Sequence, residues 1–296
     1  MKIGLNLSFA IKRWIEPQAL AALVRDQLGV TYVQYTWDLT DPWWPAAERD
    51  RLAKAYADAF RATGVVVESS FGGLASYTYS HFLAPNEDQR RLGREHLKRA
   101  IDMTAAMGVP AAGMPFGSYS AADAINPARR EEILAIAEEM WVDIAAHAAR
   151  RGLTKLFVEP VPLSTEFPSS AADAARLMRD LDGRTDVPVR LLVDWGHALL
   201  EPLFGRDADM DLWMRTCGQW VDAYHIQQTD GQLDRHWSFA RDGVVTPQRL
   251  QDHWMRWGLQ EQTYFGEFIY PFETPDEAVL ADMLAAMKAL KQAEAA

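Results

Sequence analysis

Four side chains that could bind a metal ion interrupt apolar runs in the second half of the sequence. They are Glu159 in LFVEPVP, Asp194 in LLVDWGHAL, His225 in AYHIQQTD and Glu267 in YFGEFIYP. A charge buried in such a run without a partner is costly, so four of them predict a shared cation. Three carboxylates and one imidazole suit one divalent ion such as Mn²⁺, Mg²⁺ or Co²⁺ better than a thiolate-preferring zinc ion. Taken singly, each residue is equally compatible with a structural ion pair or hydrogen bond.

The elements that must position these residues alternate between short apolar runs and amphipathic helices. The predicted strands cover residues 2–9, 31–37, 65–71, 111–116, 154–160, 187–195, 223–228 and 264–270. The predicted helices cover residues 17–28, 46–63, 87–107, 128–151, 170–181, 207–216, 246–257 and 274–292. Such alternation implies parallel strands, and eight unbroken units predict a closed (β/α)₈ TIM barrel as one domain over residues 1–296. A doubly wound open sheet is the alternative.

In a (β/α)₈ barrel, the catalytic groups lie where the strands end and the following loops begin. Each of the four residues comes near the end of one of the last four predicted strands. We therefore expect all four side chains to meet at one mouth of the barrel.

Composition restricts the classes of protein that this chain can be. Of its 296 residues 49% are hydrophobic and 24% charged, which is typical of a globular protein and excludes disorder. The net charge of −11 disfavours binding to nucleic acid or to an acidic membrane surface. A single cysteine, Cys217, indicates a reducing compartment. Because there is no signal peptide and no long apolar segment, we expect a cytoplasmic protein without a membrane partner.

The order and spacing of these motifs resemble those of the xylose-isomerase-like barrels. The matching motifs are the strand-end Glu159, DWGH with Asp194, His225 in YHIQQTD and GEF with Glu267. The resemblance covers nearly the whole chain and implies a metal-dependent sugar (phosphate) isomerase or epimerase. Three segments, SFGGLASYTYSHFLAP, DWGHAL and HIQQTDGQLDRHW, are most similar to the tetrulose-4-phosphate racemases and epimerases of erythritol catabolism. Relatives of this kind are often dimers or tetramers, which implies a homo-oligomer.

The resemblance also implies roles for individual residues. In the epimerases, two metal-bound glutamates exchange protons with the carbon next to the ketone, and these correspond to Glu159 and Glu267. Base and acid then act from opposite faces of an enediolate, which inverts that carbon.

Other residues are predicted to contact the small ketose or ketose phosphate. His197 could hydrogen-bond a sugar oxygen, although it could equally orient a metal ligand. Glu166 is predicted to meet the hydroxyl of the reacting carbon, with a solvated loop carboxylate as the alternative. Arg235 and His236 are the predicted phosphate ligands, because a guanidinium pairs with two phosphate oxygens at once. Further phosphate candidates are Lys12 and Arg13.

Four other functions compete with epimerisation. Decarboxylation of a 3-oxo sugar acid and aldose–ketose isomerisation would use much the same metal-binding residues. An abasic-site endonuclease of this fold needs more histidines for three zinc ions and a basic face for DNA, which a net charge of −11 does not favour. A non-catalytic sugar-binding barrel would have no need for four inward-facing ligands, so it is the weakest of the four.

Overall fold

The computed structural model describes residues 1–294, and these contain eight parallel strands in one closed barrel. Each strand pairs with the next along the chain, and the eighth pairs with the first. The strands are β1 Lys2–Asn6, β2 Tyr32–Thr36, β3 Val66–Phe71, β4 Ala111–Pro115, β5 Lys155–Glu159, β6 Val189–Asp194, β7 Val221–Ile226 and β8 Thr263–Gly266. The predicted (β/α)₈ TIM barrel is confirmed, and the open doubly wound sheet is wrong.

Eleven α-helices connect or flank these strands in the described part of the chain. They are α1 Pro17–Ala22, α2 Ala46–Ala62, α3 Glu87–Met107, α4 Ala121–Ala124, α5 Pro127–Arg150, α6 Ala171–Leu181, α7 Trp195–Ala198, α8 Glu201–Phe204, α9 Met210–Cys217, α10 Pro247–Trp257 and α11 Asp276–Glu294. A π-helical segment, Leu23–Gln27, continues α1. The four-residue helices α4, α7 and α8 were not predicted, because one helical turn is too short to show a 3.6-residue pattern. Among residues 1–294, none of the helices combines the length and apolar character that crossing a bilayer requires.

Strands β1 and β8 end three and four residues before the ends that the apolar pattern predicted, the largest differences among the eight strands. Strand β1 stops at Asn6, whose side-chain oxygen accepts the backbone N–H of Ser8 at 2.9 Å and begins a 3₁₀ turn. Strand β8 stops at Gly266, so Glu267 lies in the loop just beyond it. Local side-chain-to-backbone bonds of this kind compete with strand pairing, and a count of apolar residues does not register them.

The hydrophobic core has two parts. The larger part lies between the barrel and the surrounding helices. A smaller cluster fills the barrel itself: Phe71, Ala111, Phe157, Leu192, Ala223 and Phe265. Gly113 leaves room for this cluster, since a Cβ there would lie 2.4 Å from the Cβ of Phe157. Within this cluster, Phe71 packs edge to face with the ring of His225, with centroids 5.3 Å apart, so the cluster lies directly below the barrel mouth.

Candidate metal centre and active site

The structure brings the four predicted metal ligands together at the C-terminal mouth of the barrel. Glu159 and Asp194 are the last residues of β5 and β6, His225 is the penultimate residue of β7, and Glu267 follows β8. One potential ligand atom from each lies within 4.8 Å of all the others. All four residues are buried, none more than 5% exposed. The arrangement could hold a metal ion.

The His225 ring lies between the two glutamates. Its Nδ1 is 2.9 Å from Oε1 of Glu159 and 3.0 Å from Oε2 of Glu267. Its other nitrogen, Nε2, donates to the amide oxygen of Gln34 at 2.5 Å. Because an amide oxygen can only accept, this bond directs Nδ1 towards the carboxylates, as is usual for a metal-binding histidine.

The amide of Gln34 is itself held in place by its neighbours. Its oxygen also accepts from Asn6 at 2.8 Å, and its nitrogen donates to the Ser69 hydroxyl at 3.1 Å. A hydrogen-bonded chain through β1, β2 and β3 therefore orients the imidazole. Gln34 was not predicted as a site residue, although a buried polar side chain in the run YVQYT was the available signal.

Asp194 leaves one oxygen for a cation. Its Oδ1 accepts from the backbone N–H of His197 and from the side chain of Gln227, both at 3.0 Å. Its Oδ2 is buried and has no hydrogen-bond partner within residues 1–294. Burial raises the pKa of Asp194 to about 6, against the opposing effect of His197. An unpartnered buried carboxylate oxygen is costly, and a cation at the centre of the cluster would satisfy it.

The electrostatics of the ion-free cluster are dominated by its two glutamates. Burial alone would lower the pKa of His225, but the charges of Glu267 and Glu159 raise it to about 10. For Glu267, burial raises the pKa, but the neighbouring His225 outweighs this and lowers it. The carboxylates thus attract one positive charge, which a proton on His225 supplies when no metal ion is bound.

Tyr77 covers the site and was also missed by the sequence analysis. It lies in the 3₁₀ turn Leu74–Thr78 after β3, and its hydroxyl donates to Oε2 of Glu159. Asp38 anchors this turn, accepting the backbone N–H of Leu74 at 2.6 Å. A tyrosine in a loop carries no periodicity that could have identified it.

The predicted substrate contacts His197 and His236 lie beside the metal ligands. Nδ1 of His197 is 3.0 Å from the carbonyl oxygen of Pro160, and Nδ1 of His236 is 3.3 Å from that of Glu267. The Nε2 atoms of both rings face Asp234, at 3.2 and 3.1 Å from its Oδ2. Sequence reasoning passed over Asp234, two residues before His236.

Glu166 is buried rather than solvated. It is 8% exposed, and its backbone pairs with that of Ser118 in the loop after the neighbouring strand β4. Burial raises the pKa of Glu166 to about 7, only partly opposed by His197. The alternative of a solvated loop carboxylate is therefore wrong, and a neutral carboxylic acid able to donate a hydrogen bond is accessible at pH 7.

A cavity of about 710 Å³ next to these residues is lined by Arg235, His236, Trp237 and Arg241 among others. Two nitrogens of Arg235 donate to Oδ2 of Asp230, at 2.8 and 3.1 Å. Both arginines also lie over the Trp237 ring, with guanidinium carbons 5.0 and 5.4 Å from its centroid. Arg241 was not predicted, because it comes 16 residues after His225 in an irregular loop.

The two phosphate candidates that follow the first strand, Arg13 and Lys12, have different surroundings in the structure. The Arg13 guanidinium donates to the carbonyl oxygens of Pro271 and Thr274 at 2.8 and 2.9 Å, and only 4% of its side chain is exposed. It clamps the loop after β8 and is not available for a ligand, so this candidate is wrong. Lys12 lies over the Phe272 ring, 4.6 Å from its centroid.

Comparison with known proteins identifies the family. The sequence model of the family described as "Xylose isomerase-like TIM barrel" matches residues 22–290. The chain belongs to this family. The resemblance drawn from the strand-end motifs is thereby confirmed.

The chain is also similar to individual proteins that are named as epimerases or isomerases. The D-erythrulose 1-phosphate 3-epimerase of Brucella abortus (strain 2308) is 27% identical over 290 residues, covering 96% of this chain and 93% of the relative. A solved structure from Rhodospirillum rubrum ATCC 11170, provisionally named xylose isomerase, is 72% identical with a TM-score of 0.98, covering 99% of each chain. A D-psicose 3-epimerase from Clostridium cellulolyticum H10, solved with D-tagatose, has a TM-score of 0.71 and 12% identity over 99% of each chain, which shows the fold alone. The family and its epimerase relatives support an isomerase-type enzyme.

Proposed function

We propose that this member of the xylose isomerase-like family is a metal-dependent epimerase that inverts the carbon next to the ketone of a small ketose, in particular a tetrulose 4-phosphate. The observation that carries the proposal is the pair of glutamates flanking His225 at the barrel mouth, both within 3.0 Å of its Nδ1. The Brucella relative, named for D-erythrulose 1-phosphate, supports a four-carbon ketose phosphate as the substrate class.

Glu159, Asp194, His225 and Glu267 would hold one divalent ion, with Mn²⁺, Mg²⁺ and Co²⁺ as the proposed metals. Bound there, the ion would supply Lewis-acid stabilisation of the negative charge that develops on the ketone oxygen. Glu159 takes the proton from one face of the reacting carbon and Glu267 returns one from the other, or the reverse for the opposite stereoisomer. Burial of both carboxylates keeps bulk water away from the enediolate, whereas the carboxylic acid that returns the proton exchanges it with solvent between turnovers.

The remaining side chains would bind and orient the sugar. His197 lies beside Glu159, and Glu166 is close enough to His197 for the charge on that ring to lower its pKa against the larger effect of burial. Both are proposed to contact hydroxyl groups of the sugar, Glu166 as a donor when protonated. Arg235 and His236 line the adjacent cavity and are proposed to hold the phosphate, with Arg241 as a second guanidinium.

Three further proposals concern the whole protein. A single domain is supported by the one barrel that contains every strand of residues 1–294. A cytoplasmic location is supported by the buried free thiol of Cys217. The proposed dimer or tetramer rests on the family resemblance alone.

Solvent deuterium incorporation tests the proposed reaction. We expect the enzyme, incubated in D₂O with D-erythrulose 1-phosphate or the 4-phosphate isomer, to place deuterium on the carbon beside the ketone as that carbon inverts, because an acid exchanges its proton with solvent. NMR of the recovered sugar measures both label and configuration. Release of CO₂ from a 3-oxo sugar acid, or formation of an aldose, would instead favour decarboxylation or isomerisation. If no ketose or ketose phosphate in a panel takes up label, epimerisation is wrong.

The phosphate site is tested by Arg235→Ala. We expect KM for a phosphorylated ketose to rise about 10–100-fold, the loss of one charge-assisted bidentate contact of roughly 1.5–3 kcal/mol. KM for the unphosphorylated sugar should change far less. Arg241→Ala measures the contribution of the second guanidinium separately. Arg249→Ala, on the outer helix α10, serves as the matched control. Equal increases in KM for the phosphorylated and the unphosphorylated sugar would contradict the proposal that Arg235 binds the phosphate.

Gln34→Met tests the positioning of His225. We expect affinity for Mn²⁺ to fall about 10–100-fold, because the imidazole loses the acceptor that directs Nδ1 towards the carboxylates. Isothermal titration of the metal-stripped protein measures the affinity. Gln248→Met, on the exposed side of α10, is the matched control. Unchanged Mn²⁺ affinity in Gln34→Met would contradict an orienting role.

A further inference from the structure

The two glutamates at the barrel mouth have different surroundings. Oε1 of Glu159 lies 2.9 Å from Nδ1 of His225, so it is directed towards the centre of the four-residue cluster. The other oxygen of Glu159, Oε2, accepts the hydroxyl hydrogen of Tyr77. Within residues 1–294, the carboxylate of Glu267 is paired with His225 and His236 and with no hydroxyl group. Tyr77 therefore contacts only one of the two proposed proton carriers.

The Tyr77 hydroxyl fixes the direction of one lone pair on Oε2. A carboxylate oxygen offers two acceptor positions, and a tyrosine hydroxyl at neutral pH is a neutral donor that fills one of them. Because Oε1 faces the cluster, Oε2 is the oxygen of Glu159 that remains to take a proton from a substrate. With Tyr77 bound, the carboxylate is held in one orientation and its free lone pair keeps one direction. A general base depends on such orientation, because it must lie within hydrogen-bond reach of the proton it removes.

Asp38, which follows β2, holds the start of the turn that carries Tyr77. Its Oδ2 accepts the backbone N–H of Leu74 at 2.6 Å, and its Oδ1 accepts that of Ala75 at 3.4 Å. Gly73 makes this approach possible, because a Cβ there would lie 2.2 Å from Oδ2 of Asp38. The carboxylate thus supplies the acceptor that an N-cap side chain would otherwise provide, and it comes from a neighbouring loop.

Both neighbours of Tyr77 along the chain are also held by hydrogen bonds. The carbonyl oxygen of Ser76 lies 2.6 Å from Nε2 of His81, which donates to it. Thr78 donates its hydroxyl to the carbonyl oxygen of Ala75 at 2.7 Å. The backbone on each side of Tyr77 is therefore fixed, and the position of its ring depends on the anchoring of the whole turn.

We propose that Tyr77 is a catalytic residue that orients Oε2 of Glu159 for proton transfer, and that Asp38 is a positioning residue that acts through Tyr77. This proposal rests on the proposed epimerase and makes its two proton transfers unequal. Without the Tyr77 hydroxyl, the carboxylate of Glu159 is free to rotate, so the transfer at Glu159 becomes slower. The transfer at Glu267 does not change.

Tyr77→Phe tests the catalytic role. We expect kcat to fall about 10–100-fold, the effect of losing one hydrogen bond to a charged group. Deuterium at the reacting carbon of each epimer identifies the step that changes. For the epimer whose proton Glu159 removes, the substrate isotope effect should be larger in the variant than in the unaltered protein. For the opposite epimer, whose C–D bond is broken by Glu267, it should be smaller.

Two controls accompany Tyr77→Phe. Tyr264→Phe removes a buried tyrosine hydroxyl that lies 2.9 Å from Nδ1 of His253, away from the mouth, and should keep both isotope effects. The affinity of Tyr77→Phe for Mn²⁺, measured by calorimetry on metal-stripped protein, should stay within a few-fold of that of the unaltered protein. A large loss of Mn²⁺ affinity would assign Tyr77 to holding the ion and would overturn the catalytic role.

Hydrogen exchange tests the positioning role of Asp38 without a substrate. In Asp38→Ala, we expect the amides of the turn Leu74–Thr78 to exchange about 10-fold faster by mass spectrometry, because two of them lose their acceptor. Asp38→Asn keeps one acceptor oxygen and should be intermediate in exchange and in kcat. Asp41→Asn is the matched control, since Asp41 accepts the backbone N–H of Trp43 at 2.8 Å instead.

A double variant shows whether Asp38 acts through Tyr77. We expect Asp38→Ala combined with Tyr77→Phe to be no slower than the slower single variant, because both changes remove the same contact. Additive losses in kcat, or exchange in Asp38→Ala equal to that of the unaltered protein, would overturn the role of Asp38.

The outcomes separate the role of Tyr77 from the proposed function. If the unaltered protein labels no ketose with deuterium, the proposed function is wrong and the catalytic role of Tyr77 is wrong with it. If the unaltered protein epimerises a ketose but folded Tyr77→Phe is equally fast, only the role of Tyr77 is wrong. Isotope effects that change in the same direction for both epimers would also overturn that role, because they would show an effect on both proton transfers.

Discussion

Glu159→Gln and Glu267→Gln should each reduce turnover about 10²–10⁴-fold, the usual contribution of a general acid or base. Glutamine keeps the shape of the side chain and one oxygen that can contact a cation, but it cannot accept and return a proton. Both carboxylates flank His225 within 3.0 Å, so both are placed to serve one bound substrate. The measurement is kcat for epimerisation by NMR or a coupled assay, at saturating divalent ion.

The matched control for these variants is Glu68→Gln. Glu68 lies on β3 towards the opposite end of the barrel, where it contacts Lys2 and Thr263. We expect this variant to keep turnover within a few-fold. Metal content must be measured in every variant, because loss of the ion would mimic loss of the base. If a folded, metal-loaded Glu159→Gln or Glu267→Gln retains more than about a tenth of the activity, other groups move the protons.

Removal of divalent ions is the change with the second largest expected effect. Chelation and dialysis should lower turnover at least about 100-fold, since a Lewis acid typically supplies several kcal/mol of transition-state stabilisation. Adding Mn²⁺, Mg²⁺ or Co²⁺ should restore turnover, and the turnover regained with each ion ranks the three metals. Full activity in protein shown by elemental analysis to hold less than about a tenth of an ion per chain would refute metal dependence.

The affinity of the metal-stripped protein for a divalent ion should depend on pH, and the pKa of His225 gives the direction. In the ion-free protein the two glutamates raise the pKa of His225 to about 10, so its ring is protonated at neutral pH. A metal ion must displace that proton, and its apparent affinity should therefore rise as pH increases from 6 towards 9. Calorimetric titrations in buffers of different ionisation enthalpy should detect proton release on binding. Affinity that is flat over this range would contradict His225 as a ligand.

The barrel was predictable from local patterns because each β/α unit repeats the same sequence pattern, a strand followed by an amphipathic helix. An apolar run of a few residues followed by an amphipathic stretch marks each unit, and parallel strands joined by helices close in chain order. Element ends were less predictable. The side chain of Asn6 stops β1 by binding Ser8, and α7 is a single turn whose N-cap is a site residue, Asp194.

The four-residue cluster was predictable for a related reason. Charged residues in apolar runs stand out, and in this fold the ends of β5 to β8 must face one mouth. The residues around the cluster gave weaker signals. Gln34 belongs to a strand on the other side of the barrel, and Tyr77 and Arg241 come from irregular loops. Arg13 was predicted as a phosphate ligand after the first strand, yet its side chain is buried against the loop after β8.

Residue order along the chain is enough to predict the closed barrel, the candidate ligands at its strand ends and the family, because periodicity and position along a strand are local properties. Distances between loops are not local. His197, in α7, and His236, in the loop after β7, both contact Asp234, where the His236 backbone is left-handed and the Gln227 amide holds the other oxygen of Asp234. The unpartnered oxygen of Asp194 and the Gln34 contact of His225 likewise depend on which side chains meet across the mouth. Folding supplies those contacts, and they distinguish a set of candidate ligands from a site that could bind a metal ion.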